Sequence, residues 1–244
     1  MVLTEEQLER YRRQMLLPQI DQEKLLSAKV LVVGAGGLGS PVSYYLAGAG
    51  VGTIGIVDPE AVELSNLHRQ ILYTTDDIGK KKVWLAKDRL EKINHDIAVV
   101  PYAIRLTSEN IEDIMKDYDI IIDCSDNFPT RYLVNDACVK TNKAFVHGAV
   151  FRTEGQVMVV KPGEGPCYRC VFPEEPGEEI VSSAQRQGVL GATAGIIGLI
   201  QATEAIKLIL ETGKSLVGQL IVYNAMEMSF RKVNVSRAQS CSCG

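Results

Sequence analysis

Residues 29–34 read Lys-Val-Leu-Val-Val-Gly and run straight into a glycine-rich turn, Gly34-Ala-Gly-Gly-Leu-Gly39, followed by Ser40 and Pro41. Few features restrict a fold as much. A short apolar run ending in such a turn suits a strand buried on both faces of a parallel sheet. Pro41 is tolerated in the first turn of the helix that should follow. The spacing of Gly34, Gly36 and Gly39, with Gly37 between them, allows a tight turn and brings backbone amides close to a phosphate at a helix N-terminus. Asp58 closes a second strand-like run, residues 53–58, at the distance where an acid bonds ribose hydroxyls. This pattern alone names a nucleotide, not which one: NAD fits it, and so does a set of glycines that serves only helix–strand packing.

The rest of the chain repeats the alternation. Helical patterns at residues 4–16, 81–93 and 108–116 interleave with strand-like runs at 97–102 and 119–124, the signature of a doubly wound α/β sheet. The last hundred residues differ: runs at 144–147, 155–161, 218–224 and 228–235 read as strands, interrupted by one long helix at 193–210. The expectation is a Rossmann-like mixed sheet with an antiparallel C-terminal extension. We divide residues 1–244, as a single domain, into an N-terminal arm (1–28), a nucleotide-binding half (29–143) and a second half (144–244). Residues 172–187, rich in Pro, Glu, Ser and Gln, are the best candidate for a mobile loop.

Charge then discriminates among ligands. The segment Ser65-Asn66-Leu67-His68-Arg69-Gln70 follows Asp58 closely, and Lys82 opens the next helix. An Asn, an Arg, a Gln and a Lys near one nucleotide suit a triphosphate better than a dinucleotide, whose pyrophosphate is already served by the helix N-terminus. Asp126 and Asn127 follow the strand at 119–124, at the carboxyl edge where ligands of open α/β sheets sit; Asp126 is placed to hold Mg²⁺ or a ribose, or merely to cap the next helix. The formal net charge of -4 argues against a general nucleic-acid binder. The stretch 188–210 carries Gln201, Glu204 and Lys207 and reads as a buried helix, not a membrane span. The N-terminal residues form no signal peptide, so a cytoplasmic setting is expected. Cys167 and Cys170, with Cys241 and Cys243, make two close thiol pairs suited to one tetrahedral structural Zn²⁺, which would staple the tail to the sheet; a redox pair or free thiols are the alternatives. Cys124 and Cys138 read as core residues, and His147 as a structural residue without a partner.

The assembled pieces resemble the MoeB/ThiF/HesA family of adenylyltransferases, relatives of the ubiquitin-activating enzymes: RYRRQ (10–14), GAGGLGS (34–40), LSNLHRQ (64–70), DCSDN (123–127), CYRC (167–170) and QATEAIKL (201–208). GAVFRTEGQ (148–156) and NAMEMSFR (224–231) look like its molybdopterin-synthase branch. The resemblance implies an enzyme that uses MgATP to adenylate the C-terminal glycine of a ubiquitin-like sulfur carrier ending in Gly-Gly, of the molybdopterin or thiamine biosynthesis type. It implies ribose on Asp58, phosphates on Asn66, Arg69 and Lys82 with Gln70 in support, Mg²⁺ on Asp126, and a homodimer in which Arg13 reaches the neighbour's γ-phosphate. Two departures stand out. Many relatives carry a cysteine in the loop before the long helix, where Ala184 stands here, and no cysteine lies between Cys170 and Cys241. Such a chain should adenylate and stop, with sulfur supplied by another protein. The terminal thiol pair is CxC where the family shows CxxC. The readings that compete are an NAD-dependent oxidoreductase, a non-catalytic scaffold, and adenylation of a tRNA or a peptide.

Overall fold

The apolar runs form one eight-stranded mixed sheet in a computed structural model that describes residues 3–177, 187–239, 241 and 243. Its strands are β1 (Lys29–Val33), β2 (Thr53–Val57), β3 (Ala98–Tyr102), β4 (Ile120–Asp123), β5 (Ala144–Phe151), β6 (Glu154–Val160), β7 (Gln219–Asn224) and β8 (Ser229–Asn234), in the order β3-β2-β1-β4-β5-β6-β7-β8. The first five are mutually parallel; β5 through β8 pair antiparallel. The doubly wound half and the antiparallel extension both agree with the sequence reading.

Strand periodicity explains the layers. Successive side chains point to opposite faces, so in β1 Val30 and Val32 join one core and Leu31 and Val33 the other. The first core packs under α2 (Gln22–Ser27), α3 (Gly39–Ala49), α4 (Lys82–Ile93) and α8 (Gly191–Leu210); the second packs under α5 (Ile111–Met115), α6 (Phe128–Lys140) and α7 (Tyr168–Val171). The arm helix α1 (Glu5–Met15) begins at a capping box between Thr4 and Gln7. Tyr11 fastens it to the body: the ring is buried and its hydroxyl donates to Asp96 at 3.2 Å and accepts from Asn94 at 2.7 Å.

Three elements escape the sequence reading. α2 and α7 are too short to show a helical period. β5 continues beyond residue 147 to a two-residue turn at Arg152 and Thr153, where Arg152 takes φ +56°, a turn that Asn-Gly would have announced. Ala184, and most of the loop expected at 172–187, lies outside the described residues.

α8 is long and apolar enough to cross a membrane by length and composition, yet half of it is buried inside the protein. Two of its polar side chains find partners there: Gln201 donates to the Asp123 carbonyl at 2.7 Å, and Glu204 accepts from the Leu216 amide at 3.0 Å and pairs with Lys207 at 2.6 Å. Gly198 lets α8 approach α3, since a Cβ there would lie 2.6 Å from Pro41 and 2.7 Å from the Leu38 carbonyl, whereas one at Gly195 would meet nothing within 4 Å. Alanine gains roughly 1 kcal/mol of helix propensity over glycine, and overpacking costs about 1–3 kcal/mol. Gly198→Ala should therefore destabilise the fold and Gly195→Ala should not, as urea unfolding will show; equal effects would refute the close approach.

Candidate nucleotide site and metal centre

Strand order reverses between β1 and β4, and the loops leaving their carboxyl ends diverge to open a crevice. Backbone contact shapes its floor. Gly34 adopts φ +98°, and a Cβ there would come within 2.8 Å of the Cys124 carbonyl; a Cβ at Gly39 would fall 1.9 Å from the Gly34 carbonyl. Only glycine allows the turn after β1 to lie this close to the end of β4.

Asp58 lies at the end of β2, buried, with one carboxylate oxygen accepting the Ala35 amide and the other the Glu60 amide, both at 2.8 Å. It thereby braces the glycine turn and still lines the crevice. Burial pushes its carboxyl above the ordinary value, opposed by the Lys82 ammonium and by the two amides. Lys82, at the start of α4, is 1% exposed and ion-paired with Glu60 at 2.6 Å. Asn66 builds the neighbouring loop: its Oδ1 accepts the Glu63 amide at 3.1 Å, and its carbonyl accepts the amides of Arg69 and Gln70. That loop turns Arg69 and Gln70 into the crevice, where Arg69 also donates to the Ser65 carbonyl at 3.0 Å.

The crevice thus brings together Gly34, Gly36, Gly37, Asp58, Arg69, Gln70, Lys82, Asp126 and Asn127. Gly39, Ser65, Asn66, Leu67 and His68 do not line it: Gly39 closes the turn, Leu67 packs on the core, and His68 sits 3.1 Å from the Ser65 carbonyl. Arg13 is exposed on α1, away from the crevice, and has no hydrogen bond or ion pair among the described residues. The cap of α6 is Asn127, whose Oδ1 accepts from Thr130, and not Asp126. Asp126 is exposed and, among the described residues, bonds only Asn127, at 3.2 Å. A hard oxygen donor left this open suits Mg²⁺, which takes one or two carboxylates and keeps most of its waters. A polar ligand would also satisfy two buried atoms without partners, Gln70 Oε1 and Arg131 Nε, on residues that line the crevice.

Sequence reasoning missed several of these groups. Ile104, Arg105 and Leu106, after β3, line the crevice but belong to no recognisable motif. Arg131 does so from α6, four residues after Asn127 and so on the same helix face, a signal that was available. His147 is not partnerless: its Nδ1 lies 2.8 Å from Asp123 on the adjacent strand. Asp123 is held below its ordinary value although burial pushes it up, because His147, Arg131 and Ser125 stabilise its charge; burial lowers His147. Nδ1 faces a carboxylate oxygen, which can only accept, so Nδ1 is the donor of this bond.

On the far side of α6, the sulfurs of Cys167, Cys170, Cys241 and Cys243 lie within 4.8 Å of one another, with separations of 3.8 Å (167–170), 3.4 Å (167–241) and 3.5 Å (170–243). A tetrahedral zinc thiolate site has sulfur–sulfur edges of about 3.8 Å. No cysteine is in a disulfide. The CxC tail is therefore compatible with a tetrahedral set, one sulfur approaching each member of the CxxC. Arg169, between the first two cysteines, grips Asp136 of α6 through two bonds of 2.7 Å.

The ThiF family pattern matches residues 11–244. The sulfur carrier protein adenylyltransferase of Thermus thermophilus is 50% identical over 250 residues, covering 99% of this chain and 92% of that protein. The SAMP-activating enzyme E1 of Haloferax volcanii is 44% identical over 242 residues, covering 98% of this chain and 89% of that protein. The adenylyltransferase and sulfurtransferase MOCS3 of Culex quinquefasciatus is 47% identical over 244 residues, 99% of this chain but 56% of its own, so the chain spans about half of that relative. Among solved structures, E. coli MccB with ATP superposes with a TM-score of 0.84 at 28% identity, over 96% of this chain and 73% of that one.

The sulfur geometry yields one expectation. The purified chain should hold about one zinc per chain, and Cys170→Ser or Cys243→Ser should lose it along with thermal stability. Elemental analysis and thermal melts will decide; full stability in a metal-free chain would exclude a structural metal.

Proposed function

The chain belongs to the ThiF family, and from that premise we propose that it transfers AMP from ATP to the C-terminal glycine carboxylate of a ubiquitin-like sulfur carrier protein. The observation that carries this reading is the convergence of Asp58, Arg69, Lys82 and Asp126 on one crevice at the sheet's switch point. A dehydrogenase has no use for that pair of cations facing that acid.

In this reading Asp58 accepts from the ribose hydroxyls with the lone pairs its two amide bonds leave free. Arg69 and Lys82 neutralise the phosphates; Lys82, already desolvated, exchanges Glu60 for phosphate oxygen. Asn66 acts from outside the crevice by holding the loop that carries Arg69, and Gln70 supports from the crevice wall. Asp126 supplies the carboxylate for Mg²⁺, which when bound draws charge from the phosphates. The carrier's carboxylate then forms a bond to the α-phosphorus while the bond to the pyrophosphate oxygen breaks, leaving an acyl-adenylate. These residues contribute alignment and fixed charge and add no covalent chemistry of their own. Position 184 carries alanine where many relatives have cysteine, so this residue offers no thiol for thioester or persulfide chemistry. We place the reaction in the cytoplasm, where ATP is at hand and thiols stay reduced.

The reading also assigns a homodimer. Arg13 is unpaired and remote from its own crevice, which fits a residue that serves a neighbour's γ-phosphate.

ATP–pyrophosphate exchange with a panel of Gly-Gly-ended carriers tests the activity; ATP binding without exchange for any carrier would leave another acceptor, tRNA or peptide. Asp126→Ala should lower exchange by at least about a hundredfold with an unchanged circular dichroism spectrum; retained exchange would remove Asp126 from its role. Arg13→Ala and Asp126→Ala, each inactive, should regain about a quarter of full activity when mixed and re-equilibrated, since half of the two-fold dimers are then mixed and each holds one intact site. No regain would mean that Arg13 does not act across the dimer.

A further inference from the structure

Beneath the crevice lies a buried hydrogen-bonded pair that the reaction above does not use. Asp123 closes β4, and His147 is its register partner on β5. Both are fully buried. His147 donates from Nδ1 to Asp123 Oδ2 at 2.8 Å, and its Nε2 has no partner among the described residues. The other oxygen, Oδ1, accepts the Ser125 amide at 3.0 Å and the Ser125 hydroxyl at 2.6 Å. Arg131 from α6 and the Tyr168 ring from α7, the latter 4.7 Å from the imidazole, complete the surroundings. One carboxylate is thus fully committed, and two of its three bonds fix the residue immediately before Asp126.

Asp126 has little else to orient it. Its single side-chain bond comes from Asn127, which is itself anchored as the cap of α6 through Thr130. The direction of the Asp126 carboxylate therefore follows from the backbone between two pins, Asn127 on one side and Ser125 on the other. Removing the His147 donor leaves Asp123 Oδ2 buried without a hydrogen-bond donor, a penalty larger than the bond itself. The carboxylate relieves it by turning toward Arg131 or by taking a proton, and either event frees Ser125.

We infer that His147 is a positioning residue: through Asp123 and Ser125 it sets the Asp126 carboxylate to receive the divalent cation that accompanies a nucleoside triphosphate. The inference rests on the function proposed above. A histidine that served packing alone would alter stability and leave the cation's contribution to nucleotide binding untouched.

Calorimetric titration of the full chain with ATP, once in excess Mg²⁺ and once in a chelator, separates the two. In His147→Leu the affinity for metal-free ATP should stay within about twofold, while the gain that Mg²⁺ brings should fall by about tenfold or more, as for other groups that orient a metal ligand. His147→Asn, which keeps an N–H near the position of Nδ1, should restore most of that gain. An undiminished Mg²⁺ gain in a folded His147→Leu chain overturns the positioning role. If that variant fails to fold, Ser125→Ala carries the test, since it removes the 2.6 Å bond and spares the pair: a reduced Mg²⁺ gain supports the role and a full gain overturns it. ATP that fails to bind the unaltered chain would instead overturn the functional reading, and this inference with it.

Discussion

The contact between the Gly34 turn and the Cys124 carbonyl is the constraint on which the rest depends. β1 and β4 are neighbours in the sheet but far apart in sequence, and their carboxyl ends meet backbone to backbone. Any side chain at Gly34 would wedge them apart, and the crevice would lose the registration between the glycine turn after β1 and the acidic turn after β4. The supporting bonds point the same way. Asp58 ties the turn to β2, and Gln201 ties the end of β4 to α8. Four separate elements are thus locked to a few backbone atoms, and the charged side chains need only project from them. Preorganisation of this kind suits a reaction in which the protein mainly aligns two anions and cancels their repulsion.

Much of this was legible in the sequence, because the parts that carry the fold obey local rules. The parallel strands are short apolar runs, the turn needs glycines at fixed positions, and Asp58 falls where a ribose-binding acid falls. What was not legible shares a different character. α2 and α7 are single turns or little more, below the length at which a helical period can be counted. Ile104 and Leu106 line the crevice as ordinary apolar residues, and nothing in their type distinguishes them from core. His147 was misjudged because its partner lies on a neighbouring strand, and pairing between β4 and β5 is set by the register of the whole sheet. An aspartate and a histidine inside apolar runs were the available clue, since a charge is buried only with a counterpart.

The cysteines show how a long-range constraint can be read from short-range spacing. CxxC and CxC are each local patterns, and only the fold brings them together. The sheet does so by ending its antiparallel extension at β8, so that the tail returns across the second core to α7. The knuckle then packs directly behind the crevice: Tyr168, next to Cys167, lies against both His147 and Tyr132. One aromatic ring thus joins the cysteine cluster to His147, and Arg169 adds a charged grip on α6.

That geometry has a topological consequence. Once an ion joins Cys167 and Cys170 to Cys241 and Cys243, the chain between them becomes a closed ring that contains α8, β7 and β8. With the ion in place none of these elements could be exchanged singly with a second copy, because the ring would have to move as a whole, so the simplest route by which identical chains become entangled is closed. The N-terminal arm lies outside that ring, and its anchorage through Tyr11 depends on no ion.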